Sequence, residues 1–263
     1  MANITVKYFS DCLMRHTTFE MFLPNDPRAD QPWGQQDDPC RKRPMKTLFL
    51  LHGYTGSAGN YVPEYLSERY NFAVIAPNGE NGFWLDGIST GHKYCTLLGE
   101  EMLNYVRRTF GLAKSAEDTC ILGMSMGGFG ALHTGLAYPE HFGRIGAMSS
   151  ALIVHEVAEM KPGTDNNVAN YEYYRECFGD PQRVLESDNN PETLVDKLRT
   201  QNKKIPEIYM CCGTEDFLLE RNRAFHQFLE SRDVPHQYHE SSGNHDMQFW
   251  NEYTEKIVRW MFA

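Results

Sequence analysis

An alternation of short, continuous apolar runs with amphipathic stretches constrains the fold more than any other feature of the sequence. The runs have the length of strands and lie at 47–51, 72–76, 119–122, 145–149 and 208–212. Because apolar residues follow one another here instead of alternating with polar ones, the runs are typical of parallel strands buried on both faces. Strand–helix–strand alternation then predicts an α/β fold with a mostly parallel central sheet and helices on both faces.

Helical spacing is evident in several of the stretches between the runs. Apolar residues share one face of a predicted helix in each of the segments 98–106, 218–229 and 250–260. A fourth predicted helix begins near Met126 and ends at Pro139, because proline cannot continue a helix. These four helices supply the amphipathic layers that the predicted sheet requires.

The N-terminal part of the chain and one internal segment differ from the rest. Residues 4–9 and 17–23 resemble two strands joined by a turn, which predicts an antiparallel hairpin at one edge of the sheet. The segment 25–43 is rich in Pro, Asp, Gln and Gly and is predicted to be a long surface loop. The insertion 153–206 separates two strands by more than a normal crossover, and it either adds surface helices or forms a cap beside an active site.

Composition excludes several classes of protein. The 263 residues include 25 Lys and Arg against 35 Asp and Glu, a net charge of −10, which argues against a nucleic-acid partner. No apolar run approaches the ~20 residues that span a membrane. Seven cysteines without a Cys-x-x-Cys pair, and no signal peptide, favour a reducing, cytoplasmic location, although a processed chain would look the same. The sequence is compatible with a homo-oligomer.

A candidate nucleophile emerges from the pattern Gly-x-Ser-x-Gly, which occurs twice, around Ser89 and around Ser125. A nucleophile elbow requires a buried strand, a sharp turn with serine at its tip, and a helix immediately afterwards. Ser125 follows the run 119–122 and precedes the helix from Met126, and its flanking glycines remove Cβ atoms that would crowd the turn. We interpret Ser125 as the nucleophile, with a structural serine at a helix start as the alternative, and Ser89 as a loop residue.

Two backbone N–H groups would form the oxyanion hole of such a site. One N–H comes from the loop after the run 47–51, and the other comes from the residue after the nucleophile. The predicted donors are therefore the backbone N–H groups of Tyr54 and Met126. The segment His52-Gly53 supports this position, because glycine lets the backbone approach the substrate. An ordinary strand-to-loop turn is the alternative interpretation.

The acid of a Ser–Asp/Glu–His triad should follow a later strand. The run 208–212 leads into Glu215 and Asp216, and both carboxylates are candidates. The base should lie in a loop after the last strand, where His245 precedes the C-terminal helix. The neighbouring Asp246 is interpreted as a helix N-terminal carboxylate.

Two other histidines, His236 and His239, fall within a predicted strand at 235–240. Their odd spacing places them on opposite faces, which makes them poor partners for one metal ion. The sequence also has no His-Glu-x-x-His motif or other closely spaced ligand cluster, so no metal site is expected.

Several of these segments together resemble the esterase D-like α/β hydrolases, a family that includes bacterial tributyrin-type and acetyl esterases, feruloyl esterases and S-formylglutathione hydrolases. The segments are LLHGYTG, GMSMGGFGAL, CGTEDFL, GNHDMQFW and the N-terminal RHTTFEMFLP, and they span nearly the whole chain. The resemblance is greatest to the bacterial tributyrin/acetyl-esterase branch of this family. By this resemblance Ser125, Asp216 and His245 carry the triad, Tyr54 and Met126 supply the oxyanion N–H groups, and no cofactor is implied.

The resemblance implies a serine carboxylesterase that acts on short-chain acyl or carbohydrate-linked esters, acetyl or feruloyl, through an acyl-enzyme. A thioesterase such as S-formylglutathione hydrolase, or an acyltransferase, would use the same site. A non-catalytic binding protein on a hydrolase scaffold is a third hypothesis. Because elements from His52 to His245 must meet in one site, residues 1–263 are expected to form a single α/β-hydrolase domain with an insertion at 153–206, which either caps the active site or adds surface helices.

Overall fold

A computed structural model describes residues 1–25, 30 and 39–263 of the chain. Eight strands form one sheet in the order β1-β2-β4-β3-β5-β6-β7-β8. In chain order they are Ala2–Ser10 (β1), Arg15–Leu23 (β2), Lys46–Leu51 (β3), Phe72–Pro77 (β4), Thr119–Met124 (β5), Arg144–Met148 (β6), Glu207–Gly213 (β7) and His236–Ser241 (β8). β1 and β2 pair antiparallel, β2 pairs antiparallel with β4, and the remaining pairs are parallel. The predicted mostly parallel sheet with an N-terminal antiparallel edge hairpin is therefore confirmed.

Helices connect the strands and cover both faces of the sheet. They are Pro39–Lys42 (α1), Glu64–Tyr70 (α2), Tyr94–Thr96 (α3), Leu103–Phe110 (α4), Met126–Ala137 (α5), Val154–Glu159 (α6), Tyr171–Phe178 (α7), Pro191–Thr200 (α8), Leu219–Ser231 (α9) and Met247–Phe262 (α10). A π-helical turn, Leu97–Met102, joins α3 to α4, and 3₁₀ turns lie at Ala116–Asp118 and Pro181–Glu186. All four predicted helices are found.

The predicted surface loop at 25–43 falls mostly outside the described residues. Its end was predicted wrongly, because α1 forms one helical turn there. Pro39 opens this turn, where its fixed φ suits a first helical position and its missing N–H costs nothing.

Two apolar layers, one on each face of the sheet, explain why the strand runs are continuous. In β3, Phe49 and Leu51 belong to the layer that contains the α5 side chains, whereas Leu48 and Leu50 belong to the layer under α2 and α10. All four side chains are at most 1% exposed. Burying such a side chain stabilises the fold by roughly 1.5–3 kcal/mol, so both faces of the central strands select apolar residues.

Candidate active site

Ser125 lies on a tight turn between β5 and α5, at φ 55° and ψ −120°. This region is sparsely populated for residues other than glycine and costs about 1–3 kcal/mol. The surroundings hold the turn: the Ser125 N–H donates to the Met148 carbonyl at 2.9 Å, and the Ala151 N–H donates to the Ser125 carbonyl at 3.0 Å. At Gly127 a Cβ atom would lie 2.3 Å from the Leu51 carbonyl oxygen, so only glycine allows α5 to start this close to β3.

The structure brings the three predicted triad residues together. His245 Nε2 lies 2.9 Å from Ser125 Oγ, and His245 Nδ1 lies 2.9 and 3.1 Å from the two carboxylate oxygens of Asp216. Because the carboxylate accepts at Nδ1, the ring proton resides there and Nε2 is left with a lone pair. The arrangement therefore allows His245 to accept a proton from the Ser125 hydroxyl.

Asp216 is ionised at neutral pH although its side chain is fully buried. Burial alone would raise the pKa of this carboxyl group, but hydrogen bonds from His245, the Leu218 N–H and the Ser149 hydroxyl outweigh burial and lower the pKa. Asp216 is thus a fixed negative charge behind the imidazole ring.

Glu215, the alternative acid, is exposed. Its carboxylate accepts the Gly243 N–H at 2.5 Å and the Thr214 hydroxyl at 2.9 Å. It thereby ties the loop after β7 to the loop that carries His245, which is a structural contact beside the site.

The two predicted oxyanion residues both border the cleft in which Ser125 lies. Met126 is the first residue of α5, so its N–H has no acceptor within the helix. Tyr54 follows β3, and Gly53 approaches Ser125 so closely that an added Cβ would lie 3.4 Å from the serine Cβ. Both residues therefore lie close to the serine, as an oxyanion hole requires.

His52 fixes the peptide that carries the Tyr54 N–H. The Gly79 N–H donates to His52 Nε2 at 3.0 Å, so Nδ1 carries the ring proton and donates to the Gly53 carbonyl at 2.8 Å. Burial lowers the pKa of His52 against the opposing effect of the Gly53 hydrogen bond, which keeps the ring neutral. Because C=O and N–H point in opposite directions in a trans peptide, this bond turns the Tyr54 N–H away from His52.

A cleft of about 870 Å³ opens over the triad. Its walls come from the loop 53–61, from residues of the insertion between 153 and 174, and from Phe217 and Trp250. The rings of Phe217 and Trp250 lie 4.6 and 4.9 Å from the His245 ring. The cleft is mainly apolar, which favours hydrophobic contact with a bound organic molecule.

Comparison with known proteins identifies the family. A family model described as "Putative esterase" matches residues 15–261. The chain belongs to this esterase family. An acetyl esterase of Caldicellulosiruptor saccharolyticus is 39% identical over 266 residues, which covers 99% of this chain and 98% of the relative. The esterase is thus a hydrolase of carboxylic ester bonds.

Two solved structures of Staphylococcus aureus proteins are similar to the esterase over its whole length. The substrate-bound fluorophosphonate-binding serine hydrolase FphF has a TM-score of 0.83 at 26% identity, covering 100% of this chain and 98% of that one. An S-formylglutathione hydrolase has a TM-score of 0.81 at 26% identity, covering 100% and 99%. Both agree with the resemblance inferred from the motifs.

Some residues beside the triad of the esterase were not singled out from the sequence. Trp250, predicted only as part of an apolar helix face, lies edge-on to His245 and donates to Ser149 Oγ at 3.1 Å. Trp250 lies in the first turn of α10, directly after the loop that carries His245. This position in the sequence could have indicated that its side chain lies beside the triad. Glu156 on α6 and Arg221 on α9 form an ion pair in the cleft wall.

Ser89 and Asp246, which the sequence placed outside the triad, have structural positions in the esterase. Ser89 lies on an exposed loop, and the Asp246 side chain caps α10 by accepting the Phe249 N–H at 3.0 Å. Cys120 and Cys211 are buried thiols in β5 and β7. Within residues 1–25, 30 and 39–263, no helix is long and apolar enough to cross a membrane, and no group of three or more His, Cys, Asp or Glu side chains is arranged to hold a metal ion.

Replacing His52 by alanine is expected to lower the kcat of the esterase about tenfold to a hundredfold with little change in KM, because an oxyanion hole acts on charge that develops only in the transition state. His52→Gln, whose amide can still donate to the Gly53 carbonyl, should recover part of the rate. Steady-state kinetics on p-nitrophenyl acetate measures both effects. The control is His141→Ala, which removes a partly buried histidine that does not line the cleft. A fall in kcat no larger than that of the control would remove His52 from this role.

Proposed function

We propose that the esterase hydrolyses small esters of short carboxylic acids through an acyl-enzyme on Ser125. His245 Nε2 takes the hydroxyl proton as Ser125 Oγ attacks the ester carbonyl, and Asp216 stabilises the resulting imidazolium. The N–H groups of Tyr54 and Met126 hold the oxyanion. The tetrahedral intermediate expels the alcohol, which takes the proton from His245, and water then repeats the cycle to release the acid.

The observation that carries this proposal is the continuous hydrogen-bonded chain from Asp216 through His245 to Ser125, with both His245 contacts at 2.9 Å. The chain ends at a strained turn on the floor of the cleft, where a carbonyl group can reach Ser125 Oγ. A protein that only binds ligands has no need for such strain, so the non-catalytic alternative is not favoured.

Acetyl is the acyl group that we propose as preferred, and the alcohol part is proposed to be a carbohydrate. The relative that is 39% identical carries the name acetyl esterase. A cleft of about 870 Å³ is far larger than an acetyl group, so it leaves room for a bulky alcohol. The likeness to an S-formylglutathione hydrolase at 26% identity keeps a thioester substrate as the second candidate.

We also propose that residues 1–263 act as one domain in which the insertion 153–206 caps the active site. The loops that carry Ser125, Asp216 and His245 all follow strands of one sheet. Side chains of the insertion that line the cleft include Ile153, Val157, Met160 and Tyr174. These contacts support the cap interpretation over that of surface helices remote from the chemistry.

A panel of substrates tests the proposal. It comprises p-nitrophenyl acetate, butyrate and octanoate, ethyl ferulate, acetylated xylan and S-formylglutathione. We expect kcat/KM for the acetyl ester to exceed that for the octanoyl ester by about tenfold or more. A tenfold ratio corresponds to a difference of about 1.4 kcal/mol in activation free energy between the two esters. A higher kcat/KM for S-formylglutathione than for every oxygen ester would assign the site to thioesters instead.

A further inference from the structure

The second Gly-x-Ser-x-Gly segment, Gly87–Gly91, is built around a carboxylate of helix α7. Glu176 Oε2 accepts the Ser89 hydroxyl at 2.7 Å, and Glu176 Oε1 accepts the Ser89 N–H at 3.0 Å. The same Oε1 lies 2.8 Å from His92 Nδ1. The Ile88 N–H donates to the Glu176 main-chain carbonyl at 3.0 Å. The segment therefore grips α7 by a side chain and by the backbone, and we call these contacts the Glu176 clamp.

The clamp is closely fitted. A Cβ atom added at Gly87 would lie 2.9 Å from the Glu176 carbonyl oxygen and 2.9 Å from its Oε1, so the glycine permits the approach of α7. Burial would raise the pKa of Glu176, but the bonds from Ser89 and His92 outweigh burial and lower the pKa. The carboxylate is thus charged, and charge-assisted hydrogen bonds are about twice as strong as neutral ones.

Helix α7 carries side chains that contact the oxyanion loop and the cleft. The Tyr173 hydroxyl donates to the Asn81 carbonyl, and the Asn81 side chain accepts the Thr55 N–H at 2.8 Å. The Tyr173 ring packs edge-on against the Tyr54 ring, with centroids 6.1 Å apart. Tyr174 is 2% exposed and lines the cleft. A displacement of α7 would therefore move both the loop that carries the predicted oxyanion donor and the wall of the cleft.

We propose that Glu176 is a positioning residue for the reaction and a determinant of acyl-chain selectivity. The clamp fixes α7, so that Tyr173 holds the Tyr54 loop in place and Tyr174 limits the width of the cleft. This inference rests on the proposed function at Ser125. A secure clamp keeps the part of the cleft beside Tyr174 narrow, and a narrow cleft at this point favours a short acyl chain.

The test compares Glu176→Ala and Ser89→Ala with Glu172→Ala, in which an exposed carboxylate of the same helix is removed. For the two clamp variants, kcat/KM on p-nitrophenyl acetate is expected to fall about three- to tenfold, because small misplacements in a catalytic site have effects of this order or larger. The ratio of kcat/KM for p-nitrophenyl octanoate to that for the acetate should rise by a similar factor. The Glu172→Ala control and Ser89→Thr, which keeps the hydroxyl, should retain the wild-type ratio.

Further measurements separate positioning from a loss of folding. The double variant Ser89→Ala/Glu176→Ala should shift the ratio no more than Glu176→Ala alone, since both remove the same contact. A wild-type ratio in Glu176→Ala, or an equal fall for both esters accompanied by a lower Tm, would overturn the proposal. If wild-type enzyme neither hydrolysed the esters nor reacted with a fluorophosphonate at Ser125, the proposed function itself would fail, which is a different outcome from an unchanged ratio.

Discussion

Replacing Ser125 by alanine is expected to lower kcat for p-nitrophenyl acetate by about 10⁶-fold, the order of loss that follows removal of the nucleophile of a serine protease. The physical reason is that alanine has no oxygen to attack the carbonyl, while the cleft and the oxyanion N–H groups stay in place. The variant should remain folded, since the turn requires a backbone conformation and not the hydroxyl group. Initial rates measure the loss, and circular dichroism with thermal unfolding checks the fold.

The matched control is Ser89→Ala, which alters the other Gly-x-Ser-x-Gly motif. This variant should keep reacting with a fluorophosphonate at Ser125. Its kcat/KM should fall by no more than the roughly three- to tenfold loss expected when the Glu176 clamp is broken. Mass spectrometry of the labelled peptide identifies the serine that reacts. Labelling at Ser89, or full activity of Ser125→Ala, would contradict the assignment.

Replacing Asp216 by asparagine is expected to lower kcat by about 10⁴-fold with the site geometry largely kept, as in other serine hydrolases that lose this charge. The amide can donate to His245 Nδ1, which moves the ring proton to Nε2 and removes the lone pair that must accept the Ser125 proton. The variant also loses the negative charge that stabilises the imidazolium. Steady-state kinetics on the acetyl ester measures the loss.

The paired control, Glu215→Gln, decides between the two carboxylates that the sequence left open. It should cost only a few-fold in kcat, because Glu215 contacts the loop at Gly243 and lies outside the hydrogen-bonded chain. Losses of equal size in the two variants would contradict the choice of Asp216. The pKa of Asp216 is lowered, so this carboxylate keeps its charge until the pH falls below the usual range of aspartate.

Local patterns in the sequence were sufficient for much of the fold. Continuous apolar runs predicted β3 to β7, because a strand covered on both faces has no polar side. Helical spacing predicted α9 and α10, because a helix that packs on the sheet buries only one face and carries its apolar residues on that face. The end of the segment 25–43 was predicted wrongly as a loop, since a single turn such as α1 is too short to show periodicity.

The candidate site was less accessible to sequence reasoning. Ser125 could be preferred over Ser89 because a strand, a turn and a helix are local features that surround only one of them. The choice of Asp216 over Glu215 required the resemblance, and the structure supports that choice by burying Asp216 against His245. Residues 215 and 216 are adjacent, so no spacing rule separates them.

The sequence by itself determined the central strands, four of the helices and which serine can occupy a strained turn, because hydrophobic periodicity and turn chemistry act over a few neighbouring residues. Only the tertiary structure decided which distant residues meet. The order of strands in the sheet brings Ser125, Asp216 and His245 within hydrogen-bonding distance. The packing of the insertion on the loop at Gly87–Gly91 places Glu176 beside Ser89. Such contacts depend on the whole chain being folded, and short segments carry no information about them.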